Sequence, residues 1–468
     1  MNRRDFLRAF GIGAAACGLR RLASAAAAAK DRPNIVLCMT DDQGFGDVAY
    51  NGHPRVKTPV LDEMARTCLR FDRFYAAAPV CSPTRGSVMT GRHPNRYGCF
   101  APNYSIRPEE VTIARVLKSA GYATGHFGKW HLGPVKATSP VSPGACGFEQ
   151  WLSHDNFFEL DPSLSRNGAD PQKIEGESSE IIVNEALAFV AKTAKARKPF
   201  FTVVWFGSPH VPYKALPADR KPYADLPETQ QHYLGEITAM DRAMGMLRAG
   251  LRKLGVADQT LLWFCSDNGA TGPGSTGGLK GRKGGLSEGG IRVPGILEWP
   301  ARVRTPRATD VPCCTSDIYP TIVDLLGLTV PNQVQPIDGI SLRELIDGKM
   351  KRRPKPIAFW KYSAGQERKN PSYLPPEALK GWWRTFTNRT HPTPATKGFA
   401  GEAALIDNQY KLLKGSKGAG LYDLAADPGE TKDLTKSKPD LAAKMTAELE
   451  VWQASVERSL SGMDYAKK

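Results

Sequence analysis

Five short apolar runs lie between residues 33 and 328, and segments with the periodicity of an α-helix separate them. This alternation constrains the fold more than any other feature of the chain, because apolar strands joined by helices form a mostly parallel sheet that is covered on both faces. We therefore predict an α/β fold in which helices sandwich a large, mixed but mostly parallel sheet. The predicted strands are 34–39, 122–127, 200–206, 260–265 and 293–297.

Start and stop signals place helices between these strands. Thr58 and Pro59 open one helix, and the run from Pro108 to Glu110 opens another that ends at Gly121. Two longer helices are predicted at 178–196 and 228–254.

The pattern changes after residue 328 to that of a second, smaller unit. It contains a basic, proline-rich stretch, a loop-rich stretch, two strands and a polar helix, which lie in order at 349–356, 361–400, 404–413, 420–424 and 439–457. We expect a main domain over 31–350 and a smaller C-terminal α+β subdomain over 351–468.

At the N-terminus, Arg3 and Arg4 precede an apolar stretch at 9–19 and an alanine-rich segment at 23–29. This layout is typical of a cleaved twin-arginine export signal, and its apolar stretch is too short to span a bilayer. We expect residues 1–29 to be a signal peptide for the Tat export machinery, and the mature protein to be periplasmic or secreted without stable membrane insertion. An alanine-rich helical start is the alternative interpretation.

The formal net charge of +16 favours anionic partners, because a positive field attracts and steers them. Nucleic acid is one such partner, but the chain has no helix-turn-helix, zinc-finger or ribonucleoprotein pattern, so we predict no nucleic-acid binding. Sulfated or other acidic substrates fit the charge better.

Nine cysteines are present. Cys38 and Cys265 lie in apolar, strand-like runs and are predicted to be core residues. Four others are candidates for a disulfide bridge in an oxidising compartment, with a connectivity that the sequence leaves open: Cys99, Cys146, Cys313 and Cys314.

Four of the predicted strands end in polar side chains that can take part in chemistry. In chain order these are Asp41 and Asp42, Lys129 and His131, His210, and Asp267 and Asn268. Because sites in open parallel sheets form at the carboxyl ends of the strands, we expect these side chains to converge on one crevice. Each of them taken singly is more typical of a cap, a turn or a surface loop, and it is their joint placement that favours a site.

The chemistry of this set favours an anionic ester. The three aspartates and the asparagine form an all-oxygen set that suits a hard cation such as Ca²⁺ or Mg²⁺. Lys129, His131 and His210 supply positive charge and hydrogen-bond donors. A cation beside such donors describes a site for a tetrahedral oxyanion ester, either sulfate or phosphate.

Cys81 is placed next to a predicted helix start. Ser82 can cap this helix, Pro83 fits its first position, and Gly91 ends it. A side chain just ahead of a helix N-terminus lies in a field that favours anions, and Arg85 is one turn further on. By local features alone, a structural, half-buried cysteine before an ordinary helix is the better interpretation.

Taken together, these residues resemble the type I sulfatases of the alkaline phosphatase superfamily. The run 81–85, Cys-Ser-Pro-Thr-Arg, is similar to the family's C-x-P-S/T-R maturation signature. Further family-like segments follow the family's order at 33–36, 41–47, 128–133, 209–210, 266–269, 288–294 and 421–430.

The resemblance implies an alkaline-phosphatase-like fold and the hydrolysis of sulfate esters, on a sulfated carbohydrate or a small sulfate ester. It implies that a formylglycine-generating maturation enzyme converts Cys81 to formylglycine (3-oxoalanine). The hydrated aldehyde has two hydroxyl groups, one to attack sulfur and one to drive sulfate release. One Ca²⁺ ion would be held by Asp41, Asp42, Asp267, Asn268 and the modified Cys81.

The resemblance also implies roles for the basic residues. Arg85, Lys129 and His131 would hold the formylglycine. His210 and Lys283 would contact the sulfate and the leaving oxygen, with His210 as the candidate general acid. Lys280 is the alternative to Lys283, although the spacing to the segment 288–290 favours Lys283.

Two other functions remain open at this point: a phosphate or phosphonate ester hydrolase of the same superfamily, and a non-catalytic binder of sulfated glycans in which Cys81 stays a thiol. Specificity is expected in the loop after His210 and in the loops 155–167 and 361–400. Three tryptophans could stack on sugar rings or belong to the core: Trp360, Trp382 and Trp383.

Overall fold

The computed structural model describes residues 32–362, 372, 374, 386–389, 399–416 and 418–465. The predicted signal peptide at 1–29, together with Trp382 and Trp383, lies outside the described residues. Among the described residues, no helix is both long enough and apolar enough to cross a membrane.

The described chain contains strands and helices in alternation. The strands are β1 Asn34–Thr40, β2 Leu69–Phe71, β3 Phe74–Tyr75, β4 Ala123–Lys129, β5 Gln150–His154, β6 Ser163–Arg166, β7 Gln172–Lys173, β8 Phe200–Trp205, β9 Thr260–Ser266, β10 Arg292–Val293, β11 Gly295–Glu298, β12 Arg307–Thr309, β13 Cys313–Cys314, β14 Ile357–Trp360, β15 Ala403–Asp407, β16 Tyr410–Gly415 and β17 Gly418–Asp423. The α-helices are α1 Pro59–Thr67, α2 Cys81–Thr90, α3 Ile113–Ser119, α4 Ser178–Lys195, α5 Pro217–Arg220, α6 Glu228–Lys253, α7 Glu288–Ile291, α8 Ile318–Leu325, α9 Arg343–Ile346 and α10 Pro439–Leu460.

A ten-stranded sheet forms the centre of the molecule, in the order β12-β2-β11-β9-β1-β8-β4-β5-β6-β7. Its middle strands, from β9 to β5, are parallel, whereas β11 and β6 pair antiparallel with their neighbours. The predicted mixed, mostly parallel sheet is therefore confirmed.

Both faces of this sheet are covered, which explains why its central strands are continuous apolar runs. Along β1, Ile35 and Leu37 point into one hydrophobic core, and Val36 and Cys38 point into the other, as the alternation of side chains in a strand requires. Helices α4 and α6 cover the second of these faces.

A four-stranded antiparallel sheet, β14-β15-β16-β17, follows the large one. One of its faces packs against α10 through residues such as Leu412 and Leu449, and the other packs against the main body through Phe359 and Ile291. Trp360 is 3% exposed in the core of this unit, so it is a core residue and is not available to stack on a sugar ring.

The division of the chain into a main domain over 31–350 and a C-terminal subdomain over 351–468 stays a prediction.

Three predicted elements differ from the observed ones. The strand 293–297 is broken at Pro294, which lacks the N–H needed in a strand ladder, into β10 and the antiparallel β11. The strand 404–413 is a hairpin that turns at Asn408, which has a φ of 51°. The helix expected at Pro108 begins at Ile113, because the Thr112 side chain caps it by accepting from Arg115 N.

The cysteines are also placed by the fold. Cys38 and Cys265 are buried in the core, as predicted. All eight cysteines in the described part of the chain are free and buried, so none of the candidates Cys99, Cys146, Cys313 and Cys314 forms a bridge.

A substitution that creates a cavity beside the central strand β1 tests this description of the core. Leu37 is 2% exposed, so Leu37→Ala should lower the free energy of unfolding by about 2–5 kcal/mol, measured by urea denaturation. Val451 is 73% exposed on α10, so the control Val451→Ala should change the stability by no more than about 0.5 kcal/mol. Equal destabilisation of the two variants would contradict this packing.

Candidate active site

The predicted site residues converge at the carboxyl edge of the large sheet. The register of β1 on β9 aligns Thr40 with Ser266, so the residues that follow these two strands emerge side by side. Lys129 is the last residue of β4, and His210 follows β8 in a short loop. Cys81 reaches the same edge from the start of α2.

Four fully buried charges alternate in sign at this edge. Lys129 Nζ donates to Asp41 Oδ2 at 2.6 Å. Arg85 Nε and Nη2 donate to Asp267 Oδ2 at 3.1 and 2.7 Å, and Arg85 Nη2 lies 3.8 Å from Asp41 Oδ1. Burial opposes ionisation of Asp41, but Lys129 and His210 outweigh it and hold the pKa of this carboxyl below its usual range.

Asp42 connects the four buried charges to Lys283 and Asn268. Its backbone has a φ of 66°, and its N–H donates to Asp267 Oδ1 at 3.1 Å. Asp42 Oδ1 accepts from Lys283 Nζ at 2.5 Å and from Asn268 Nδ2 at 2.8 Å.

Cys81 is the first residue of α2 and is 1% exposed. The structure corrects two details of the prediction: Cys81 lies inside the helix, and Ser82 Oγ accepts from Asn103 N at 3.2 Å instead of capping it. Lys283 Nζ lies 3.4 Å from Cys81 Sγ. Burial raises the pKa of the Cys81 thiol to about 12, although Lys129 acts in the opposite direction. An unmodified thiol would therefore be protonated at neutral pH.

The two histidines occupy different positions. His131 Nε2 lies 3.0 Å from Asn103 Oδ1, and burial and then Lys129 hold the pKa of His131 well below its usual value. His210 stacks on Phe157 with ring centroids 4.4 Å apart, and its Nε2 lies 3.7 Å from Asp42 Oδ2. Burial lowers the pKa of His210.

The sequence did not point to Asn103 or Phe157 individually. Asn103 lies in a loop without a motif, and its position next to both Ser82 and His131 is a tertiary contact. Phe157 belongs to the loop 155–167, which was expected to carry specificity, but no local pattern distinguished it from its neighbours.

The two candidate lysines, Lys280 and Lys283, have different contacts in the structure. Lys283 contacts Asp42 and Cys81, as described above. Lys280 Nζ points away, donates to Glu430 O at 3.2 Å and lies over the Tyr422 ring at 5.5 Å. The structure therefore places Lys283, and not Lys280, in the site.

The oxygen donors of the site suit a hard cation. The carboxylates of Asp41 and Asp42 each offer a ligand atom, and these atoms lie within 4.8 Å of each other and of ligand atoms on Cys81 and His210. Among the described residues, the buried oxygens Asp41 Oδ1 and Asn268 Oδ1 have no hydrogen-bond partner. Because unsatisfied buried acceptors are costly, binding of a cation by these oxygens would relieve that cost.

Residues 33–328, which include all of these side chains, match the family model described as Sulfatase. The chain belongs to the sulfatase family. It is an arylsulfatase-like sulfuric ester hydrolase, and the fold and reaction class implied by the resemblance are confirmed.

Individual relatives support this assignment. Arylsulfatase A from Homo sapiens is 31% identical to this sulfatase, over 90% of this chain and 87% of the relative. N-acetylgalactosamine-6-sulfatase from Homo sapiens is 32% identical, over 70% of this chain and 69% of the relative. The crystal structure of Ps i-CgsB in complex with k-i-k-neocarrahexaose superposes with a TM-score of 0.76 at 26% identity, covering 92% of this chain and 98% of that one.

Breaking the buried ion pair of Arg85 and Asp267 should cost far more stability than breaking an exposed one. Arg85→Met leaves Asp267 buried without its partner, so this sulfatase should lose about 3–5 kcal/mol of unfolding free energy, measured with chelator present so that no cation compensates. The control Arg55→Met removes a pair to Asp225 whose side chains are 40% and 65% exposed, and it should leave the free energy of unfolding nearly unchanged. Similar losses in both variants would contradict the burial argument.

Proposed function

We propose that this sulfatase hydrolyses sulfate esters of carbohydrates with a formylglycine nucleophile made from Cys81 and with one bound Ca²⁺ ion. The observation that carries the proposal is the position of Cys81. Its Sγ lies at the buried first turn of α2, 3.4 Å from Lys283 Nζ and beside oxygen donors that fit a hard cation.

A thiol at this position is poorly suited to the reaction. Since burial raises the pKa of Cys81 to about 12, little thiolate would form, whereas a hydrated aldehyde supplies two hydroxyl groups on one carbon.

The burial of Cys81 also bears on when it would be modified. Cys81 is 1% exposed, so the maturation enzyme would have to act before α2 packs against the sheet.

The Ca²⁺ site is assigned to Asp41, Asp42, Asp267, Asn268 and the modified residue 81. The unpartnered Asp41 Oδ1 and Asn268 Oδ1 support this set, as does the close grouping of Asp41, Asp42 and Cys81. The ion would neutralise charge on the sulfate oxygens and lower the pKa of the attacking hydroxyl.

The basic side chains have different roles. Arg85 and Lys129 are paired with buried carboxylates, so they fix the position of the segments around residue 81. His131 contacts Asn103 and orders the neighbouring loop. Lys283 reaches residue 81 directly and can bind a sulfate oxygen. His210 has a lowered pKa in the free site, and an anionic sulfate nearby would raise it, which suits protonation of the leaving oxygen.

A sulfated carbohydrate is the substrate class best supported. One relative is named for N-acetylgalactosamine 6-sulfate chemistry, and another was solved with a neocarrahexaose. The net charge of the full chain is +16 and stays positive without residues 1–29, which favours a polyanionic substrate. Phe157, stacked on His210, and Val211, which is 49% exposed, offer apolar surface next to the site.

We also propose that the protein is exported by the twin-arginine route, to the periplasm or outside the cell.

The function is tested by measuring sulfate release from defined sulfated oligosaccharides, alongside an aryl sulfate and the matching aryl phosphate. We expect at least one oligosaccharide to be cleaved with a higher kcat/KM than the aryl sulfate. Faster turnover of the phosphate would instead favour the phosphate or phosphonate ester hydrolase. Binding of the glycan without sulfate release would favour the non-catalytic binder.

The modification is tested separately by peptide mass analysis of the active protein. The peptide that contains Cys81 should have the mass expected for conversion of the thiol to an aldehyde, and it should react with a hydrazide probe. The peptide with Cys313 and Cys314, which are equally buried, is the internal control and should keep its thiols. An unmodified Cys81 in fully active protein would contradict the mechanism.

Metal binding has a readout that does not depend on activity. Ca²⁺ at about 100 times its Kd should stabilise chelator-treated protein by about 2.7 kcal/mol, seen as a rise in Tm. Asp42→Asn should abolish most of this rise, whereas the control Asp225→Asn, at an exposed carboxylate, should keep it. An equal rise in both variants would show that the ion binds elsewhere.

A further inference from the structure

Residues 280–289 form a loop, named here the Lys283 loop, whose tip reaches the active site. At the tip, Lys283 Nζ contacts Asp42 Oδ1 and Cys81 Sγ. At the base, Gly289 N donates to Lys280 O at 2.7 Å and closes the loop. The position of the tip therefore depends on what holds the base, together with the bonds that Lys283 N and Gly284 N donate to Ala270 O and Pro79 O.

A buried charge cluster from the C-terminal sheet holds this base. Lys411 Nζ, on β16, lies 3.1 Å from Glu288 Oε1 and 2.9 Å from Glu430 Oε1. Glu430 Oε2 accepts from Glu288 N at 2.8 Å, and Glu430 O accepts from Lys280 Nζ at 3.2 Å. All three members of the cluster, Lys411, Glu288 and Glu430, are at most 1% exposed.

The positions of the three charged groups in this cluster can change little without the loss of an ion pair. Each carboxylate and the ammonium is fully removed from water, so a shift of the loop base would leave a buried charge without its partner. Glu288 is fixed further, because Oε2 accepts from Tyr75 Oη at 2.9 Å and lies 3.6 Å from Arg292 Nη1.

The same C-terminal unit also contacts the other side of the loop. Lys361 Nζ donates to Gly284 O at 2.7 Å, next to Lys283, and Glu402 Oε2 accepts from Leu286 N at 3.2 Å. The unit therefore supports the loop at its base and beside its tip.

We propose that Lys411 and Glu430 are positioning residues for the sulfatase reaction, which set the place of Lys283 Nζ relative to residue 81. This inference rests on the role of Lys283 in the proposed function. A displacement of about 1 Å at a group that orients the reacting atoms can cost on the order of 100-fold in rate.

Kinetics of Glu430→Gln and Lys411→Met test the proposal. Glu430→Gln removes the charge but keeps the shape and an acceptor for Glu288 N, so it is the milder change. Each variant should lower kcat by about 10- to 100-fold with KM changed by less than about threefold. The control Lys414→Met, on the same strand, removes a surface pair to Glu450 and should leave both constants unchanged.

A double-mutant cycle separates positioning from general destabilisation. In a Lys283→Ala background, Glu430→Gln should lower kcat no further, because its effect passes through Lys283. Losses that multiply in the double variant would overturn the proposal.

Hydrogen exchange provides a readout that needs no activity. The amides of Lys283, Gly284 and Gly289 donate to Ala270 O, Pro79 O and Lys280 O. In Glu430→Gln, a peptide spanning 280–289 should exchange about tenfold faster or more, while the peptide 81–90 stays unchanged. Unaltered exchange of the loop overturns the positioning role. A wild-type protein that releases no sulfate overturns the proposed function, and the exchange result then decides the positioning role by itself.

Discussion

The structure depends on four alternating buried charges at the carboxyl edge of the large sheet. They come from four separate segments of the chain: Asp41, Lys129, Arg85 and Asp267. Because a buried charge without a partner is costly, these segments are stable only when they lie together. Arg85 belongs to the helix that begins at Cys81, so the same interaction holds the proposed nucleophile at this edge.

The charge balance of the site explains why a cation and a sulfate ester suit it together. Three carboxylates face three basic side chains: Asp41, Asp42, Asp267, Arg85, Lys129 and Lys283. These charges are equal in number, so the site without a cation offers little net attraction for an anion. A divalent cation would make the site positive, which favours binding of an anionic sulfate ester.

The C-terminal unit supports both segments that meet at Cys81. It holds the Lys283 loop through Lys411 and Glu430. It also holds the segment that follows α2, because Arg92 Nη2 donates to Asp464 Oδ2 at 2.5 Å and Arg96 Nη1 donates to Ser459 Oγ at 2.8 Å. The unit lies outside the span matched by the family model, yet it contacts both of these segments within that span.

The sequence by itself determined the sheet, its central strands, and the reactive residues at the strand ends, because apolar periodicity and motif order are local properties of the chain. Only the tertiary structure decided between Lys280 and Lys283, placed Cys81 inside its helix and left the described cysteines free. It also brought Asn103 to the site and Lys411 to the base of the Lys283 loop. Each of these outcomes depends on the direction of a side chain and on partners far away in sequence. Local patterns do not encode such contacts; they arise when the separate segments pack together.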